Sequence, residues 1–369
     1  MSHVTGTLMR RGAEFASAQL RQPEKQPDEQ AGGAQIALIV VTLGVMMLAI
    51  FAVEYTYGNV VATLAAVEDS NPDIYVRIDH DDPNKPLDPN EPEPVVEGRP
   101  KPITSKLRST IKHLRSRAGF WSRFRGLSMY LAWSMARGMI SAFIPVPSGS
   151  FIGQFFVQSF VSVLLSTWQM AWVHIVISEP SPKRFYQRIP SYRTWIKIAP
   201  AAAAEDVLTA AAFFLPMAVA KLAGWVEANQ GQGPQTFSSF CRFLAASAVP
   251  ALLALLISIP ARVIFVRVAA SMLPEEDETV VPFDRSFGGK VQPEIVGGSG
   301  RIGLMDAWTT FDWSARVRFA KVMGKTLAIQ LALCVLTGLL VGGQLAMMPG
   351  WKVTHGETPQ QPEPSQALA

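Results

Sequence analysis

The chain has 369 residues, 49% of them hydrophobic and only 17% charged, with a formal net charge of +4 and a positive mean hydropathy. The apolar residues fall in long runs, not at sheet or surface-helix spacing, which argues against two soluble domains and for a membrane protein with several spans. The two cysteines, Cys241 and Cys334, lie in apolar stretches and read as small buried hydrophobes, and the histidines show no pair at metal-ligand spacing. Neither a disulfide framework nor a metal site is expected.

Residues 1–35 are polar and read as a disordered tail. The apolar run that follows is too long and too far from the N-terminus for a signal peptide. Six segments, 36–67, 122–145, 151–177, 199–225, 237–271 and 320–347, are each long enough to cross about 30 Å of hydrocarbon at about 1.5 Å per residue. The expected fold is therefore all-α, six transmembrane helices in a membrane domain spanning 36–347, followed by a second disordered tail, 348–369.

Connection lengths alternate. PVPSGS and the stretch around EANQGQGPQT are short and carry no Lys or Arg, whereas 68–121, 178–198 and 272–319 are long and hold most of the cations. The positive-inside rule then puts the long loops in the cytosol or matrix and both termini on the opposite side. Within the first long loop, 68–103 is acidic and proline-rich and reads as an extended linker. Its Asp79-His80-Asp81-Asp82 reads as a solvated charge run.

The odd spans leave through a serine followed shortly by proline: Ser70-Asn-Pro72, Ser178-Glu-Pro180 and Ser271-Met-Leu-Pro274. The even spans begin with an aromatic and a cation two residues apart: Trp121 and Arg123, Trp195 and Lys197, Phe319 and Lys321. Proline stops a helix, and ring-plus-cation pairs suit a membrane interface. Three pseudo-repeated helix hairpins and the independent recurrence of common membrane devices both account for the pattern.

Three hairpins with long loops on one face resemble the mitochondrial carrier layout, as does Phe124-Arg125-Gly126-Leu127 at the start of an even helix. Pro260 with Arg267 fits the spacing of that family's proline-and-charge motif, although Arg262 and Phe265 stand where it has an acidic and a basic residue. SEPSPKRFYQRIP and LPEEDETVVPFDRSFGG are similar to stretches of fungal multi-pass membrane proteins, some labelled ubiquitin carrier protein. That label would imply conjugating chemistry, but the chain has no His-Pro-Asn and no soluble cysteine site, so no enzyme activity is expected.

Ionisable residues inside spans are expensive and are functional candidates. They are Glu54, Arg137, His174, Glu205, Asp206, Arg262 and Arg267. Glu54 and Arg137 fall at comparable depth on neighbouring helices and are expected to face one another or a shared polar cavity. At about 1.5 Å per residue, Glu205 and Asp206 lie about 9–10 Å in from the long-loop face, between Arg267 at about 6 Å and Arg262 at about 14 Å. A pairing of either acid with either arginine follows, helped by a bend at Pro260; Arg267 is also near enough to the surface to snorkel. Asp284 and Arg285 in PFDRSFGG read as loop braces, since the phosphate-loop spacing is lacking. GLLVG, from Gly338, would let a neighbouring helix approach closely.

Two functions remain open at this level: a carrier-like transporter of a small anionic solute, or a scaffold whose long loops bind protein partners. The lipid bilayer is a partner in either case; no cofactor and no nucleic acid is expected. The inner mitochondrial membrane and endomembranes both fit the charge pattern.

Overall fold

The computed structural model describes residues 27–69, 102–147, 150–224, 237–292 and 296–347. All its regular elements are helical, and among the described residues an isolated antiparallel bridge joins Ser178 to Thr279. The chain divides into two compact units, Met1–Ala52 with Ala328–Ala369, and Val53–Leu327.

The helices are α1 (Pro27–Val53), a π-helical segment Glu54–Val61, α2 (Ala62–Val67), α3 (Leu107–Ala118), α4 (Leu127–Phe143), α5 (Phe151–Leu164), α6 (Ser166–Ile177), α7 (Tyr192–Leu222), α8 (Phe237–Ser271), α9 (Leu304–Thr309) and α10 (Trp313–Ala346). Four stretches are long and apolar enough to cross a membrane: Gly33–Val67, Tyr192–Leu222, Ala248–Ser271 and Trp313–Ala346. Counting α5 and α6 as one broken span, bent by 57° at Leu165, gives five. The expected span at 122–145 is not among these stretches. Left-handed Gly126 precedes α4 and the extended Ile144-Pro-Val-Pro follows, limiting it to 17 residues. That is about 25 Å at about 1.5 Å per residue, at the lower limit of the roughly 17–25 residues with which helices cross a bilayer.

The apolar surface is inverted relative to a soluble bundle. Met47, Leu48, Met135, Phe143, Ile152, Phe156, Leu215, Leu256 and Leu339 all point outward, covering helix faces far larger than a soluble monomer exposes. Cys241 and Cys334 share this outward placement, facing away from the packed core. An apolar run fixes a helix but not which of its faces meets protein.

In the unit formed by α1 and the second half of α10, Gln344 Nε2 donates to Thr42 Oγ1 at 2.8 Å and Gln35 Nε2 to the Met347 carbonyl at 3.2 Å. Gly338, Gly342 and Gly343 have open space where a Cβ would stand, so GLLVG does not mediate a close approach here.

The core of the larger unit lies at the long-loop end. Leu64, Leu114, Met170, Trp172, Ile177 and Val263 to Ala270 pack there with Val280, Val281, Phe283, Ile302 and Phe311 from the third long connection. The long connections thus fold into a cap. Helix α3 turns Ile111 and Leu114 inward and Arg108, Lys112 and Arg115 outward, as its spacing requires. His113 Nε2 lies 2.9 Å from the Val280 carbonyl, and Arg117 pairs with Glu179 at 3.0 Å. The bridge at Ser178 is flanked by Glu179 N–H to Glu278 O (2.7 Å) and Val280 N–H to Ile177 O (2.9 Å).

Of the three exit serines, Ser178 sits in this bridge and Ser271 Oγ accepts from Ile302 N–H at 3.1 Å. Ser70 lies outside the described residues, as do Asp79–Asp82, most of the 68–103 linker and most of both tails. The helix of the first span begins at Pro27.

Candidate functional site

The polar residues inside the bundle gather around the π-helical segment. Its sequence, Glu54-Tyr-Thr-Tyr-Gly-Asn59, interrupts an otherwise apolar helix, and Ala62 N–H reaches Tyr57 O five residues back. A π turn widens the helix and leaves carbonyls poorly matched. Asn59 Nδ2 partly answers this, donating to Glu54 O at 3.4 Å.

Buried Tyr55 anchors an aromatic wall. Its hydroxyl donates to Arg125 O at 2.6 Å and accepts from Trp172 Nε1 at 3.2 Å, while its ring packs edge-on against Tyr130 with centroids 5.2 Å apart. Beside this wall Arg262 Nη2 donates to Asn59 Oδ1 at 2.6 Å, and its guanidinium lies 5.9 Å from the Trp172 ring centre.

Arg137 bonds Gln158 Oε1 at 2.9 Å, pairs with Asp206 Oδ1 at 3.4 Å, and sits 5.6 Å from the Trp133 ring. Glu205 Oε2 accepts from Gln169 Nε2 at 2.9 Å, and both Arg262 and Arg137 act on it electrostatically. One buried oxygen, Asp206 Oδ2, has no hydrogen-bond partner. The arrangement is a charged network drawn from α4, α5, α6, α7, α8 and the π-helical segment.

These positions revise the expected pairings. Asp206 goes to Arg137, not to Arg262 or Arg267, and Glu205 goes to Gln169. Adjacent helical residues point about 100° apart, so two neighbouring acids serve different partner helices. Glu54 is exposed, with Tyr130 in its electrostatic neighbourhood, and Arg137 finds its acid on α7 instead.

Arg267 does not snorkel: it is 6% exposed, donates to Ala66 O at 3.2 Å and Thr310 Oγ1 at 3.0 Å, and stacks against Phe287 and Phe311. The cap closes over it, which a helix-by-helix depth estimate omits. It lines a cavity of about 330 Å³ with Asp69, Asp284 and Asp312. His174 is buried and its Nε2 lies 2.8 Å from Ala269 O, tying α6 to α8.

Sequence reasoning missed Tyr55, Asn59, Gln158, Gln169 and the Glu68–Arg318 pair. Neutral polar residues in apolar runs are a usable signal; Glu68, just past the first span, is inconspicuous beside the acidic linker. As expected, Asp284 and Arg285 brace their loop: Asp284 accepts from Ser286 and Gly288 N–H, and Arg285 donates to the Pro274 and Asp277 carbonyls.

No family model, curated protein or solved structure matches the chain.

Proposed function

We propose that the chain is a multi-pass membrane transporter that moves a small anionic solute past the Arg137–Arg262 network. The observation that carries the reading is Arg262. It lies in an apolar span, yet its guanidinium bonds a neutral amide, Asn59, in place of a carboxylate. An arginine in hydrocarbon costs at least about 2.5–3.5 kcal/mol on insertion scales, and a contacting acid would be the simplest relief. Glu205 is within electrostatic reach but bonds Gln169 instead, which leaves Arg262 a positive group able to receive an anion.

The test is flux from reconstituted vesicles loaded with chloride, inorganic phosphate or succinate. At least one anion should leave faster than from protein-free vesicles, and Arg262→Gln should slow it tenfold or more. Arg242→Gln, on an exposed side chain outside the network, should not. Absence of flux for all three anions, or equal flux in Arg262→Gln, would end this reading.

The second reading, a scaffold whose cap binds a protein partner, is favoured by the folding of the long connections into one hydrogen-bonded layer. Under it, flux stays at background and substitutions on the outer face of α3 abolish partner capture.

A further inference from the structure

At the start of α4, on the long-loop face, a cavity of about 360 Å³ opens beside Trp121, Phe124 and Phe185. Its charged lining is of one sign: Arg125, Lys183 and Arg188, with the hydroxyls of Ser122, Ser128 and Ser181 among them and no carboxylate in the lining. Acids support two of these cations from outside the wall. Asp277 lies 3.5 Å from Arg188 Nη2, and Glu276 lies 3.2 Å from Lys183 Nζ. Arg125 instead donates to the carbonyls of Ile175 and Ser178. Burial and then the charge of Arg188 push the Arg125 guanidinium down to about 10, against the opposing pull of Glu179.

One hydroxyl in the wall has no hydrogen-bond partner among the described residues. Ser122 is 2% exposed, and its hydroxyl makes no hydrogen bond. The Arg188 side chain is 8% exposed; its Nη1 donates to Ser178 Oγ at 3.2 Å, and its Nη2 is ion-paired with Asp277 but makes no hydrogen bond. A buried donor left unsatisfied is costly, and such groups are few in folded proteins. Gly126 gives α4 no side-chain cap, so the first N–H groups of that helix add further donors beside the same space. Donors of this number and sign suit a ligand with several anionic acceptor oxygens.

We propose that this cavity binds a phosphate group, with Ser122 and Arg188 donating from the wall and Lys183 from the rim. Trp121 and Phe185 stand outward beside it, 73% and 40% exposed, as aromatics do at headgroup level. The phosphate can therefore come from a glycerophospholipid or from solution. The site shares no residue with the proposed solute network, so the two stand or fall separately.

Full-length protein in neutral detergent is titrated with dioctanoyl phosphatidic acid, dioctanoylglycerol and inorganic phosphate, with binding followed by calorimetry. A phosphate-bearing probe should bind saturably and dioctanoylglycerol should not. Binding of phosphatidic acid alone identifies a lipid source; comparable binding of inorganic phosphate identifies a soluble one.

Ser122→Ala removes a hydroxyl that bonds nothing in the chain, so folding is kept while affinity for the phosphate probe falls several-fold. Lys183→Gln, at a half-exposed rim position, lowers it about tenfold. Arg108→Gln, on an exposed cation of α3 outside the cavity, leaves it unchanged. Failure of both phosphate probes to bind, equal binding of dioctanoylglycerol, or native affinity in both Ser122→Ala and Lys183→Gln would overturn the proposal.

Discussion

Glu68 joins three separate parts of the larger unit, and its removal should be among the most damaging single changes in the cap. Its carboxylate accepts from Ile103 N–H at 2.5 Å, from Thr104 N–H at 3.0 Å and from the Thr104 hydroxyl. Arg318 faces it with Nε 3.9 Å from Oε2, while Arg318 Nη2 donates to the Glu68 carbonyl at 2.8 Å. Glu68 is 2% exposed and Arg318 8%. Glu68→Ala removes the strongest acidic partner of a buried guanidinium, leaving only the weaker pull of Asp69 and Asp312, and strands two backbone donors without acceptors. Breaking one side of a buried ion pair costs about 3–5 kcal/mol, and each orphaned donor adds about 1–3 kcal/mol unless water reaches it.

The expected loss is therefore at least about 3 kcal/mol, read as a fall of roughly 6 °C or more in Tm at about 2–4 °C per kcal/mol. Thermal unfolding in detergent, followed by tryptophan fluorescence, measures it. Limited proteolysis gives the local readout, because the tether holds the chain at 103–104 ahead of α3 and cleavage there should quicken. Glu68→Gln, which keeps one acceptor oxygen but loses the charge, should fall between native and Glu68→Ala. A change in Tm of less than 2 °C in Glu68→Ala, with unaltered cleavage, would refute the assignment of this pair as a structural tie.

Asp206→Asn should destabilise the protein through loss of its ion pair with Arg137, and exchanging both charges (Arg137→Asp with Asp206→Arg) should recover part of the loss; a coupling below about 0.5 kcal/mol in a double-mutant cycle would refute contact. Gly126→Ala should cost about 1–2 kcal/mol in thermal unfolding, because φ is +75° there and a Cβ would stand 3.2 Å from Trp172 Cδ1. For Asp284, burial alone would raise the carboxyl pKa, but the N–H groups of Gly288 and Ser286 and the Ser286 hydroxyl overcome it and hold the group below its usual value. A depressed folded pKa contributes stability that is present above the unfolded value of about 3.9 and is lost as pH falls through the folded one. Protection of the Gly288 amide from hydrogen exchange, corrected for intrinsic rates, should accordingly be retained at pH 5 and fall below about pH 4 in native protein, and be low at both in Asp284→Asn.

Apolar runs were enough to place α7, α8 and the membrane part of α10, because about twenty consecutive apolar residues have few other stable forms. They did not show that α4 is short or that α5 and α6 bend at Leu165, since both features come from local backbone geometry inside an apolar stretch. Depth along a helix was legible and azimuth was not. Glu205 and Asp206 do lie at a level with charged partners, but the turn of the helix sends one to Gln169 on α6 and the other to Arg137 on α4. The basic character of the long connections was plain, whereas their folding into a cap was hidden. Leu114, Ile302 and Phe311 are single apolar residues flanked by polar ones or glycine, and with the short Val280-Val281 pair they reveal a core only when brought together.

The arginines of the cap also serve the helix ends that meet there. Helices that end there leave their last carbonyls without intrahelical partners. Arg125 takes the Ile175 and Ser178 carbonyls at the end of α6, Arg267 takes Ala66 at the end of α2, and Arg318 takes Glu68 just beyond it. Arg316 likewise takes Trp308 in the last turn of α9 and Phe311 after it. A guanidinium suits this work because its planar fork can bond two carbonyls at once and is more weakly hydrated than an ammonium. The favourable placement of a cation at a helix C-terminus adds to each bond. The same residues that would set topology during insertion therefore close the helix ends afterwards, and the bundle's charge asymmetry is built into the hydrogen bonding of the folded cap.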